Sequence, residues 1–133
     1  MARKRSNGPT EAELEILQVL WKRGRSSVRE VHQELSRRRD VGSTTVLKLM
    51  QIMAEKGLVV RDESVRPQLY KAAQSESRTQ RHMTKDLLEK LFGGSSSKLV
   101  LQALSSKPAS RQELDEIRAL LDRLEAEAEE RDQ

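Results

Sequence analysis

The 133-residue chain contains no cysteine, which excludes disulfides, thiolate metal sites and cysteine nucleophiles together. It has three aromatic residues, Trp21, Tyr70 and Phe92. So few rule out a large aromatic core and argue against reading single strands or RNA by base stacking. No apolar run approaches the roughly 18 residues of a membrane span. The N-terminal MARKRSNGPT is basic, but no apolar stretch follows it, so it does not read as a secretory signal. The expected location is the cytoplasm. The two histidines, His32 and His82, stand fifty residues apart without acids at ligand spacing, so neither metal nor cofactor is expected. Ser95-Ser96-Ser97 has no histidine near it and no nucleophile-elbow pattern. Gly93-Gly94 lacks the lysine of a phosphate loop. The chain is not expected to be an enzyme.

What it has is charge, unevenly spread. Residues 1–73 hold 15 Lys/Arg against 9 Asp/Glu, a balance of +6. Residues 74–133 hold 10 against 12, a balance of −2, and the two give the net +4. A basic first half points to a polyanion partner. The length fits one domain, or a small domain with an extension.

Residues 1–9 read as a basic arm, with Arg3, Lys4 and Arg5 either touching phosphates or simply solvated. Thr10-x-x-Glu13 has the capping-box pattern and opens a first helix. Leu14, Leu17, Val19, Leu20 and Trp21 give that helix its apolar surface, and Lys22–Arg25, with Gly24 inside, ends it. Ser27-x-x-Glu30 repeats the box, with Val28, Val31 and Leu35 on one face before Arg37-Arg38-Arg39. A third helix is predicted over Val41–Leu58, with Ser43 as N-cap and Gly57 as stop. Its inner face is Val46, Leu49, Met50 and Met53. Its outer face is Thr44, Leu47, Lys48 and Gln51, with no acid until Glu55. Small polar groups without repelling charge suit a helix that enters a DNA groove. Leu58–Asp62 and Gln68–Ala72, separated by a polar turn ending at Pro67, predict a two-stranded wing carrying Arg61, Arg66 and Lys71. The fold expected over 10–73 is therefore a winged helix-turn-helix in a mainly α chain.

Residues 74–127 read as a helical dimerisation part, followed by a frayed acidic tail over 128–133. Met83, Leu87, Leu88 and Leu91 supply one apolar helix surface, and Leu99, Val100, Leu101 and Leu104 another. Ser110-x-x-Glu113 opens the last helix, where Leu114, Ile117, Leu121, Leu124 and Ala128 step by 3, 4, 3 and 4. That is the spacing of a helix–helix seam. The tail is thin for a core of its own. A second copy would bury what one cannot, while packing back onto the first domain stays open.

The order and spacing of several stretches resemble the penicillinase and methicillin-resistance repressor family (BlaI/MecI type). They are PTEAELEILQVLW (Pro9–Trp21), SVREVHQEL (Ser27–Leu35), STTVLK (Ser43–Lys48), EKGLVVR (Glu55–Arg61), LYKA (Leu69–Ala72) and LFGGSSSKLVLQAL (Leu91–Leu104). The resemblance reaches from Pro9 to about Leu124. It implies a homodimeric repressor that binds a palindromic double-stranded operator, often of β-lactam-resistance genes. It also implies release by proteolysis in the dimerisation part, signalled by a membrane sensor metalloprotease. Carried onto this chain, base contacts fall on Thr44, Leu47 and Lys48, with Gln51 beside them. Thr44 and Leu47 replace larger basic residues of the best-known members, and a thymine methyl suits Leu47. The members' Asn–Phe scissile bond aligns with Gln102-Ala103. A copper response through a C-terminal cysteine motif is closed to a chain without cysteine.

The mechanism expected has Ser43, Thr45, Arg38, Arg39, Arg61, Arg66 and Lys71 on the DNA backbone. Leu87, Leu91, Leu99, Val100, Leu114, Ile117, Leu121 and Leu124 would form the dimer seam. Two other classes stay open on the residues alone: a winged-helix module that binds protein, and a nonspecific architectural DNA-binding protein.

Overall fold

A computed structural model describes residues 8–132. The basic residues Arg3, Lys4 and Arg5 and the terminal Gln133 lie outside them. The elements run α1 (Glu11–Arg23), α2 (Val28–Ser36), α3 (Ser43–Lys56), β1 (Val59–Asp62), β2 (Leu69–Ala72), α4 (Glu76–Lys90), α5 (Ser96–Ser106) and α6 (Arg111–Arg131). The chain divides into two compact units, the first reaching Leu87 within α4 and the second beginning at Leu88.

The first unit is the winged helix-turn-helix. Both of its predicted capping boxes form. Thr10 Oγ1 accepts from Glu13 N while Thr10 N donates to Glu13 Oε1, and Ser27 and Glu30 do the same. Each box satisfies two backbone donors that a helix start leaves open. The core joins Ile16, Leu17, Val19 and Leu20 of α1, Val31 and Leu35 of α2, Val46, Met50 and Met53 of α3, and Val59 and Tyr70 of the wing. Ile16 is fully buried although the apolar stripe read from the sequence passes it over. Leu14, Trp21, Val28 and Leu49 are only half-buried and pack around the rim. The Trp21 indole N–H donates to the carbonyl of Gln74 (2.9 Å), tying α1 to the segment after the wing.

The wing is an antiparallel pair with Val59 opposite Ala72 and Arg61 opposite Tyr70. A third piece of backbone joins it. Ser26 N donates to Tyr70 O (3.0 Å) and Tyr70 N donates to Ser26 O (2.8 Å). This bridge fastens the α1–α2 turn to β2. It also turns the Tyr70 side chain into the core while Lys71 faces out, as strand alternation requires.

The N-terminus of α3 corrects the sequence reading. Its N-cap is Gly42, no side chain accepts from its first turn, and Ser43 is the first helical residue. Ser43 thus has helical backbone and cannot take the extended N-cap conformation. At the other end Gly57 stops the helix in the left-handed region (φ 80°), where a side chain would be strained.

In the second unit, Ser95 caps α5 by accepting from Lys98 N, and the Ser110–Glu113 box caps α6. Neither α5 nor α6 has a buried residue. The last helix continues to Arg131, through residues 128–131 that were expected to fray. The segment Glu125–Arg131 consists only of Glu, Ala and Arg, all good helix formers.

Candidate nucleic-acid interface

The two faces of α3 separate as the spacing predicts. Val46, Met50 and Met53 are buried, whereas Ser43, Thr44, Thr45, Leu47, Lys48 and Gln51 are exposed. Leu47 is 40% exposed, a branched apolar side chain on an otherwise polar face. The first turn of α3 contains no acid. An uncapped helix start with free N–H groups and no carboxylate favours an approaching anion.

The turn before α3 is held from α2. His32 Nε2 donates to the carbonyl of Val41 (2.8 Å), and Ser36 Oγ lies 3.2 Å from the same nitrogen. His32 therefore has a structural partner, and among the described residues no group of acids, histidines or cysteines could hold a metal ion.

The expected phosphate-contacting cations fall into three states. Arg38 and Lys71 are exposed and enter no salt bridge among the described residues. Arg61 and Arg66 lean on the wing tip: Arg61 Nε lies 3.6 Å from Glu63 Oε1, and Arg66 donates to the Glu63 carbonyl (3.3 Å). Arg39 is committed elsewhere, donating to both carboxylate oxygens of Glu15 on α1 (2.9 and 3.4 Å). The hydrogen bonds and charge of Glu15 raise the Arg39 pKa further. The wing tip is also braced internally. Ser64 donates to Asp62 Oδ1 through both its backbone N–H and its hydroxyl. The hydroxyl bond is the largest influence that lowers the Asp62 pKa.

Arg29 is a residue that the sequence reading missed. It is exposed near the start of α2 and lines a cleft of about 430 Å³ with Leu47 of α3 and Pro67 and Gln68 of the wing. The available signal was its place in the first turn of α2, the helix that precedes α3. Arg25, exposed in the α1–α2 turn, lies 3.7 Å from Asp62 of β1.

In the second unit, Leu91, Val100, Leu121 and Leu124 of the expected seam are exposed, Leu91 to 69%. Leu99, Leu114 and Ile117 are half-buried. Leu101 and Leu120, which were not assigned to the seam, are exposed as well. Leu87, the last residue of the first unit, is also exposed. Gln102 and Ala103 are exposed but lie inside α5.

The exposed residues of α3 from Ser43 to Gln51 thus include no acid, and the hairpin beside them carries Arg61, Arg66 and Lys71. The penicillinase repressor family profile matches residues 9–123. The chain belongs to the penicillinase repressor family. It is similar to the methicillin resistance regulatory protein MecI of Mammaliicoccus sciuri, at 24% identity over 114 residues, covering 86% of this chain and 93% of that one. It is 24% identical over 110 residues to the penicillinase repressor of Staphylococcus aureus, covering 83% and 87%. Over a shorter span of 56 residues it is 41% identical to the transcriptional regulator BlaI of Mycobacterium tuberculosis, covering 40% and 41%. The penicillinase repressor family consists of winged-helix transcriptional repressors that bind operator DNA, and not of enzymes. No helix among the described residues is long and apolar enough to cross a membrane.

Proposed function

We propose that this member of the family binds a palindromic operator as a homodimer and blocks transcription of β-lactam-resistance or related genes. The observation that carries the reading is the exposed face of α3, free of acids from Ser43 to Gln51, with Leu47 and Lys48 at its centre and the wing beside it. Each copy lays one α3 in a major groove, so the half-sites lie about one helical turn apart or a multiple of it. Thr44, Leu47, Lys48 and Gln51 read base edges, Leu47 through a thymine methyl. Ser43, Thr45, Arg38, Lys71 and the wing arginines bind phosphates and make affinity salt-dependent. Arg39 would contribute only by releasing Glu15.

Pairing of the two copies uses the apolar side chains that α5 and α6 leave exposed, with Leu121 and Leu124 central. Signal relief follows from cleavage at Gln102-Ala103 by a membrane sensor metalloprotease. Because that bond lies within α5, a protease can take it in an extended form only after this helix unwinds locally. The names of the relatives support resistance genes as targets.

Selection of bound duplexes from a random pool, followed by competition, tests the reading. The expected product is an inverted repeat preferred over random duplex by roughly a thousandfold or more. Recovery of duplexes without a shared sequence would indicate architectural binding. Binding to no duplex at all would leave the winged helix as a protein-interaction module.

A further inference from the structure

We propose that the cleft between α2, α3 and the wing seats one phosphate of the operator backbone, with Arg29 as its cation and Gln68 as a neutral donor. This rests on the reading of α3 as the helix that enters the major groove. The cleft measures about 430 Å³, and its walls include Val28 and Arg29 of α2, Leu47 of α3, and Pro67 and Gln68 just before β2. Leu47 belongs both to this cleft and to the exposed face of α3. The cleft is thus continuous with the surface proposed to read bases. With α3 in a groove and the wing against the backbone, the DNA strand that borders the groove passes between them, across the mouth of the cleft.

The charge of the lining selects a phosphate. Arg29 is the one charged side chain among the lining residues, and no acid stands with it there. It is exposed and enters no salt bridge among the described residues. The adjacent acid, Glu30, is already held, because Ser27 N and Arg23 donate to its two carboxylate oxygens (2.9 and 3.1 Å). Nor does Arg29 serve its own helix, since a cation in the first turn opposes the helix dipole. A guanidinium without an internal partner, beside an amide that can also donate, fits the oxygens of a phosphate. Val28 and Pro67 offer apolar surface to the deoxyribose. A phosphate contact fixes register and carries no sequence information of its own. Arg29 is therefore a positioning residue, holding the depth at which Leu47 meets the groove.

The experiment titrates the full chain against the selected operator by fluorescence anisotropy over a range of salt. In a second series, one half-site phosphate at a time is replaced by a neutral methylphosphonate. Arg29→Gln should weaken binding to the operator and to random duplex by the same factor, about fivefold or more. The slope of log affinity against log salt should become shallower by about two for the dimer, one per copy. Arg29→Lys keeps the slope, and Gln68→Ala weakens binding without changing it. Preference for the half-site thymines persists in Arg29→Gln, in contrast to Leu47→Ala. In the parent, neutralising the seated phosphate weakens binding. In Arg29→Gln the same replacement costs nothing further, because either change removes the one contact. An unchanged salt slope in Arg29→Gln, or methylphosphonate losses equal in parent and variant at every position, would overturn the inference. A parent chain that binds no duplex would overturn it together with the reading on which it rests. A parent that binds its operator no better than Arg29→Gln does would overturn this inference alone.

Discussion

Glu13 and Lys56, forty-three residues apart, form a bidentate ion pair that joins the start of α1 to the last turn of α3, with Lys56 Nζ donating to both carboxylate oxygens (2.8 and 3.0 Å). The same carboxylate completes the capping box of α1 by accepting from Thr10 N (2.9 Å). Glu13 is only 2% exposed, so each of these partners replaces water that the group has lost. The pair fixes the far end of the helix whose other end carries the proposed DNA contacts. Lys56→Met would leave the buried carboxylate with Thr10 alone, and a loss of about 2 kcal/mol is expected. Urea unfolding of both proteins checks it, with the variant midpoint below that of the parent. In Glu13→Leu/Lys56→Met the loss should be smaller than the sum of the single losses, because the two groups interact directly.

The same pair makes the stability of the first unit sensitive to acid. Burial raises the pKa of Glu13, but hydrogen bonds from Lys56 and Thr10 and the charge of Lys56 outweigh it and hold it below the ordinary glutamate value. In the window between the folded and unfolded values the unfolded chain binds more protons, so stability rises with pH there. The contribution is complete above the ordinary glutamate value and is lost as pH falls through the lowered one. Thermal unfolding of the parent and of Glu13→Gln should therefore differ at neutral pH. The gap should narrow in acid until Glu13 is protonated.

Tyr70 is placed as a core residue and not as a surface for stacking bases. Its side chain is buried while its backbone makes both hydrogen bonds of the bridge to Ser26. Tyr70→Ala should cost about 3–5 kcal/mol, as truncation of a buried aromatic does, whereas Tyr70→Phe should change stability little. Denaturant titration separates the two. A mild effect of Tyr70→Ala would mean that β2 is not anchored to the core.

Residues 74–127 were expected to dimerise, and the exposure of Leu121 and Leu124 bears on how. Sedimentation equilibrium at micromolar concentration should give a dimer for the parent chain and a monomer for Leu121→Asp/Leu124→Asp. A parent chain that sediments as a monomer would remove α6 from the proposed pairing.

What could be read in the sequence was local. The boxes Thr10–Glu13, Ser27–Glu30 and Ser110–Glu113 are four-residue patterns, and each forms where it was expected. The inner face of α3 follows from helical period alone, with Leu49 displaced to the rim. The relationships that were not legible are long-range. Nothing near Glu13 in the chain points to Lys56, and nothing near Arg39 points to Glu15. The Ser26–Tyr70 bridge joins one turn residue to a strand position 44 residues on, and a single bridging residue has no periodicity to detect. Ser43 looked like a cap because serine favours that position. The observed cap is one residue earlier, at Gly42.

If the outer face of α3 reads a specific duplex, as proposed, fluorescence anisotropy on a selected palindromic operator will show it. Titrations of the parent chain, Lys48→Ala and Leu47→Ala are compared at fixed salt on the operator and on a duplex with its half-site thymines replaced. Lys48→Ala should weaken operator binding about tenfold or more, and Leu47→Ala should erase the discrimination between the two duplexes. Unchanged operator affinity in both variants, with helix content and dimer mass retained, would contradict the assignment of α3 as the recognition helix.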